Sequence, residues 1–253
     1  KYVSPCDGGT RMKLIHLGSG IVLVRNLIEI SYDDTSEINH IFDSTTPQGY
    51  SVVDGKTISD GGYEFDEIGR SKSPTRYTNI GEFGITKKLR EAMYSAVVEY
   101  CKVFPVALEC ITGQTDGYMI RYGHGSDMGP HSDCNLPYKP GTLEPMTSSP
   151  AFNTLTTSIF LNDEYTGGEV AFRMWGITVK PETGTAIIYP SNFIGCHEVS
   201  EVSDGERWAF LSWFFHGNGQ ENKEGSYEWS QQLKEKVGLG NIFQKNILIG
   251  DVS

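Results

Sequence analysis

The sequence predicts a mainly β fold with supporting α-helices, and three observations carry that expectation. Short runs of β-branched and aromatic residues recur between Tyr118 and Phe215, separated by clusters of Gly, Pro, Asn and Asp. The run Arg207-Trp208-Ala209-Phe210-Leu211-Ser212-Trp213-Phe214-Phe215 is apolar on both faces, as a strand covered on both sides must be. Apolar residues at helical spacing stand out in only two places, one opening near Thr86 and one at Ser226. A chain of 253 residues can bury roughly three-quarters of its unfolded surface, and sandwiches and barrels of this size are commonly one domain. One domain over 1–253 is therefore expected, with strands and a supporting helix in 1–117, a β core in 118–216 and a tail in 217–253.

Taken in order, the first fifty residues read as short strands, with Ile21-Val22-Leu23-Val24 the clearest run and Gly18-Ser19-Gly20 a hairpin turn. Residues 60–80 form a polar, Gly-rich connection that includes Arg70-Ser71-Lys72-Ser73-Pro74-Thr75-Arg76-Tyr77 and is either a solvated loop or a mobile cover. Thr86 is placed to cap a helix in which Leu89, Met93, Val97 and Cys101 recur every four residues, and Pro105 bars its continuation. That stripe reads as core behind the sheet. A second long connection, 134–150, is stiffened by Pro137, Pro140, Pro145 and Pro150, and loops of this length in compact domains are often lids. After Gly217 the composition turns polar. A short helix from Ser226 carries Trp229, Leu233 and Val237 on one face and ends at Gly238, either docking on the domain or making a dimer contact, so the chain is a monomer or a homodimer.

Composition removes several classes. No stretch of eighteen apolar residues exists, so no helix spans a membrane. A net charge of −11 repels a phosphate backbone and disfavours nucleic-acid partners. Five cysteines without a framework spacing point to a reducing compartment, which makes a soluble cytoplasmic protein the expectation, while a start at Lys1 leaves a secretory context open. There is no internal repeat and no GxGxxG fingerprint.

Against this background, His131-Ser132-Asp133, then His197, then Arg207 ten residues further on, form the most informative pattern. Residues two apart on a strand share a face, so His131 and Asp133 can reach one metal from one segment, with His197 arriving from another strand. Two His and one carboxylate on one face of an octahedron leave three positions open, the arrangement of non-haem Fe(II) oxygenases. Six His and thirteen Asp make a chance His-x-Asp worth about 0.3 occurrences, so the triplet alone decides nothing and its context carries the inference. His131 follows the Gly-rich stretch Tyr122–Pro130, and His197 follows a turn-rich connection after the apolar strand Thr185–Tyr189. Arg207 opens a buried strand, where its planar fork needs either a protein carboxylate or a ligand carboxylate. Cys134 and Cys196 adjoin ligand candidates but read as small buried residues that face away from the metal.

With those residues in view, the segment Tyr118–Phe215 resembles the 2-oxoglutarate and Fe(II)-dependent dioxygenases, most closely the prolyl 4-hydroxylase branch. The agreement extends to Tyr122, nine positions before His131; to Thr156 ahead of Phe160-Leu161-Asn162-Asp163; to Gly167-Gly168-Glu169-Val170-Ala171-Phe172; to Pro181-Glu182-Thr183-Gly184-Thr185-Ala186; and to Arg207-Trp208 with Trp213. The resemblance implies a double-stranded β-helix, a jelly roll of cupin type. It implies Fe(II) on His131, Asp133 and His197, and 2-oxoglutarate and O2 as co-substrates, with ascorbate as a further cofactor. The distal carboxylate would be gripped by Arg207 with Tyr122 and Thr156, His131 and Asp133 would sit at one mouth of the barrel, and His197 would lie on a facing strand. The implied reaction is hydroxylation of a proline-containing peptide or protein, with 2-oxoglutarate converted to succinate.

Departures bear on substrate class. Arg207 stands for the lysine usual in that branch, Met128 for a frequent second tyrosine and Val170 for a threonine. A carboxylate at Asp133, where halogenating relatives carry glycine, argues for hydroxylation. Trp213 occupies the position of a second arginine in related nucleic-acid demethylases. The same chemistry on a small molecule or another side chain is one alternative. A silent jelly-roll binding module is another; loss of a ligand or of the clamp would mark it, and all four positions are filled.

Overall fold

The computed structural model describes residues 12–47, 50–53, 56–59, 74–134, 153–216 and 226–238. Strands β1 (Lys13–Gly18) and β2 (Ile21–Arg25) form the expected hairpin, with Ser19 and Gly20 at positive φ. Helix α1 (Tyr32–Ser44) follows where short strands were expected. Its start was legible: Ser31 accepts from the Asp34 backbone N–H while the Asp34 side chain takes the Ser31 N–H, a reciprocal cap that satisfies two orphan donors. Ile38, Ile41 and Phe42 then bury one face, so helical burial prevails over local strand character.

Next come the hairpin β3 (Tyr50–Val53) and β4 (Lys56–Ser59), strand β5 (Thr75–Tyr77) and helix α2 (Gly84–Val103). Thr86 does not cap α2. It lies inside the helix, buried, with its hydroxyl unpartnered, and the cap comes from α1: Glu37 Oε1 and Oε2 accept from the N–H groups of Gly84 and Ile85, each at 2.9 Å. The expected stripe of Leu89, Met93, Val97 and Cys101 is fully buried.

The remaining strands are β6 (Gly113–Gln114), β7 (Tyr118–Tyr122), β8 (Met128–His131), β9 (Asn153–Phe160), β10 (Thr166–Gly167), β11 (Val170–Phe172), β12 (Ile177–Val179), β13 (Ala186–Pro190), β14 (His197–Val199), β15 (Val202–Asp204) and β16 (Arg207–Phe215), and helix α3 (Ser226–Val237) closes the described chain. The major sheet runs β1-β2-β13-β9-β16-β7-β5, with β6 also on β16, and the minor sheet runs β12-β11-β14-β8. Together they form a jelly roll. Residues 60–73 and 135–152, on which most of the two expected loop covers fall, lie outside the described residues.

Strand alternation divides the interior in two. Along β16, Trp208, Phe210 and Phe214 face the helices, where they join Ile41, Leu89, Met93, Ile159 and Leu233. Arg207, Ala209, Leu211 and Trp213 face the minor sheet, with Tyr118, Ile120, Phe160, Val170, Ile187 and Tyr189. The strand is apolar on both faces because each face meets a different layer. Helix α3 docks on this chain: Trp229 packs edge-on against Tyr94 of α2 at 5.7 Å, and Leu233 is fully buried.

Candidate active site

Strands β8 and β14 pair antiparallel with His131 opposite His197, and their imidazole centroids lie 4.3 Å apart. His197 therefore neighbours His131 within the minor sheet, where a facing strand was expected. Asp133 also departs from expectation: β8 ends at His131, and Asp133 sits in the bend that follows. The chain still turns it inward. One ligand atom from each of His131, Asp133 and His197 lies within 4.8 Å of the other two, and His131 Nε2 is 3.6 Å from Asp133 Oδ1.

Hydrogen bonds hold one ligand atom of each of these three residues toward the other two, with Tyr189 Oη beside that of His197. His131 Nδ1 bonds the Gly129 carbonyl at 2.8 Å and His197 Nδ1 bonds the Gly195 carbonyl at 3.0 Å, so both rings reach back two residues to their own backbone and leave Nε2 as the lone-pair nitrogen. Gly195 is required there, since a Cβ at that position would run into the Pro190 carbonyl. Asp133 Oδ2 is engaged by the Thr156 hydroxyl at 2.7 Å and the Tyr189 hydroxyl at 3.0 Å, which leaves Oδ1 toward His131. Tyr189 Oη also lies 3.1 Å from His197 Nε2. Burial pushes the His197 imidazole down to about 4; Asp133 pulls it upward and His131 downward. At neutral pH the ring is uncharged, the form a metal requires. Two imidazole nitrogens and a carboxylate oxygen fit a borderline divalent ion such as Fe(II).

Arg207 closes the other side of the same cleft. It is 2% exposed, and its Nε has no hydrogen-bond partner among the described residues. Neighbouring carboxylates are committed elsewhere: Glu206 accepts from Arg121 Nε at 3.0 Å, and Glu169 is bonded by Ser200. Aromatic rings surround the guanidinium instead, with Tyr122 4.7 Å and Phe160 5.5 Å from it. Burial raises the Tyr122 and Tyr165 phenols, Tyr165 to about 12, while the Arg207 charge draws both back. Gly168 admits the arginine, because a Cβ there would meet Arg207 Cδ at 2.8 Å. A buried cation without a counter-ion among the described residues is costly to the folded protein alone, so the geometry calls for an anionic ligand.

The structure thus brings His131, Asp133, His197, Tyr122 and Arg207 to one cavity. Thr156 sits beside them with its hydroxyl on Asp133 at 2.7 Å and on Ser191 at 2.9 Å, where it supports the carboxylate. Cys134 and Cys196 are not members of the ligand cluster. Sequence reasoning missed Tyr189 and Arg76, which also line the cavity. Tyr189 was open to discovery, since it shares a face with Ile187 two residues earlier on an apolar strand that leads to His197.

Comparison with known proteins agrees with this geometry. Residues 118–215 match the family model described as the 2OG-Fe(II) oxygenase superfamily. A PKHD-type hydroxylase of Alteromonas mediterranea is 28% identical over 132 residues, which cover 50% of this chain and 55% of that protein. A PKHD-type hydroxylase of Paracoccus denitrificans is 32% identical over 97 residues, 37% of this chain and 40% of that one. The chain spans about half the length of these relatives or less. Among solved structures, a Trichoplax adhaerens prolyl hydroxylase in complex with a hypoxia inducible factor oxygen degradation domain peptide fragment superposes with a TM-score of 0.53 at 15% identity, over 78% of this chain and 84% of that one. A viral collagen prolyl hydroxylase from Paramecium bursaria Chlorella virus-1 gives 0.50 at 15% identity, over 79% and 92%. The superfamily's chemistry uses Fe(II), 2-oxoglutarate and O2, for which the triad and the unpaired arginine provide the fitting donors. Residues 118–215 thus carry the match to the 2OG-Fe(II) oxygenase superfamily, and the jelly roll is similar to those of solved prolyl hydroxylases.

Proposed function

We propose that this chain hydroxylates a peptidyl proline, replacing C–H by C–OH while 2-oxoglutarate and O2 become succinate and carbon dioxide. The observation that carries the reading is a single cavity with three metal-ligand atoms on one side and a buried, unpaired arginine on the other. Fe(II) together with 2-oxoglutarate and O2 supplies an oxidant strong enough for an unactivated carbon. His131 and His197 would hold the ion through Nε2, kept in the right tautomer by the carbonyls of Gly129 and Gly195. Asp133 would offer Oδ1, because Thr156 and Tyr189 hold Oδ2. Arg207 would take the distal carboxylate of 2-oxoglutarate, with the Tyr122 hydroxyl beside it. Ile120, Val170, Ile187, Val199 and Leu211 wall the cavity with hydrocarbon, which excludes water and strengthens each of these contacts. The proline assignment is supported by the fold shared with solved prolyl hydroxylases, one of which is in complex with a peptide fragment.

The test has two stages. Anaerobic addition of Fe(II) and 2-oxoglutarate should produce a weak visible charge-transfer band that is lost in Arg207→Ala; metal binding without that band would remove the oxygenase reading. Proline-containing peptides should then gain one oxygen in step with succinate formation. Succinate released with every peptide left unmodified would overturn the proline assignment and leave the iron chemistry standing.

A further inference from the structure

The cavity holds a second arginine that neither the triad nor the 2-oxoglutarate clamp uses. Arg76 lies on β5, the edge strand of the major sheet, opposite Ile120 of β7. Its strand neighbour Tyr77 packs outward on Phe42, ring centroids 4.8 Å apart, so alternation turns Arg76 toward the barrel interior, where it lines the cavity with Tyr118, His131 and Asp133. Its guanidinium carbon is 5.5 Å from the centre of the Tyr118 ring, and no described carboxylate pairs with it. Hydrocarbon occupies several positions on this inner face, as at Ile120, Ala209 and Leu211. Arg76 is half-buried there, where a carboxylate pairs with it more strongly than it would in open water.

Charge accounting shows which anion. Iron and Arg207 bring three positive charges, and Asp133 with the 2-oxoglutarate dianion brings three negative ones. Among the described residues, Arg76 is then the charge of the loaded site that no anion offsets. We propose that Arg76 is a specificity-determining residue that anchors a carboxylate of the hydroxylated substrate, so the site selects an anionic substrate whose carboxylate lies close to the carbon that is oxidised. The inference rests on the oxygenase reading above and narrows its substrate class. The carboxylate belongs either to a main-chain terminus or to an acidic side chain beside the target residue, and both present the same planar group to the arginine fork.

Binding measured without turnover tests this. The protein is loaded with Mn(II) and N-oxalylglycine, an unreactive analogue of 2-oxoglutarate, and titrated calorimetrically with three pairs of probes: N-acetylproline against N-acetylprolinamide, Ac-Pro-Asp-NH2 against Ac-Pro-Asn-NH2, and cyclopentanecarboxylate against its amide. In at least one pair the anion should bind roughly tenfold more tightly than its neutral twin. That preference should vanish in Arg76→Gln and survive in part in Arg76→Lys, with N-oxalylglycine affinity unchanged in both. The first pair responding identifies a terminal carboxylate, and the second an acidic side chain. A response confined to the third pair supports the anchor and counts against the proline reading. Equal affinity within all three pairs, or weaker N-oxalylglycine binding in Arg76→Gln, overturns the proposal, the latter because Arg76 would then serve the co-substrate.

Discussion

The two faces of the major sheet obey opposite rules. On the face toward α1 and α2, side chains are matched to hydrocarbon: Phe210, Phe214, Ile159 and Ile188 meet Leu89, Met93 and Val97, and the strand hydroxyls Thr157 and Ser212 are bonded to the carbonyls of Ser212 at 2.8 Å and Thr115 at 3.0 Å. On the face toward the minor sheet, the same strands carry Arg207, Arg76, Tyr118 and Tyr122 around three metal-ligand candidates, and the Arg207 Nε is unpartnered. The outer face is complete as a folded chain. The inner face gathers charge that is unpaired among the described residues, so packing and charge are separated here by a period of two residues along β16.

That contrast can be broken from either side. The largest effect is expected from His131→Ala, at the more exposed of the two imidazoles: turnover of 2-oxoglutarate should be abolished while the unfolding free energy changes by less than about 1 kcal/mol. A variant that retained turnover would remove His131 from the ligand set. Phe214→Ala, on the opposite face of β16, should lower the unfolding free energy by about 3–5 kcal/mol through the cavity it opens, yet leave metal affinity of the folded fraction unchanged. Paired denaturation and metal-titration curves would expose any leakage between the faces.

Arg207→Met sharpens the comparison because it should move the two properties in opposite directions. Affinity for 2-oxoglutarate should fall about 100-fold, the loss of a charge-assisted fork worth about 2–3 kcal/mol, while the ligand-free protein should melt higher once an unpaired buried charge is gone. A lower melting temperature would mean that Arg207 is structural. The smallest effect is expected at Tyr189→Phe. Removing the hydroxyl that bridges Asp133 and His197 should weaken metal binding about tenfold, the lower end for an outer partner, with the circular dichroism of the protein unaltered.

How far each of these residues was readable depends on what holds it. His131, Asp133, His197 and Arg207 stood out because metal and carboxylate chemistry allows few residue types, and their order along the chain survives in the sequence. Tyr189 and Thr156 act through a carboxylate that lies 56 and 23 residues away, respectively, so no local pattern ties them to it. Helix α1 was missed although its cap, Ser31 with Asp34, is written in four consecutive residues; the strand-like runs on either side drew the reading away. The cap of α2 could not be read locally at all, because Glu37 supplies it from 47 residues upstream.

By itself the sequence determined the alternation that makes β16 a two-faced strand, the hairpin at Gly18-Ser19-Gly20, the α2 and α3 stripes and the identity of the triad, since each follows from a period or a residue type. Tertiary structure decided that His131 and His197 are neighbours in one sheet, that Asp133 turns in from a bend, and that Arg76 shares a cavity with Arg207. Those outcomes depend on strand register and on which sheet each strand joins. Both are set by contacts between residues far apart in the chain, where the hydrophobic pattern selects a face and leaves the partner open.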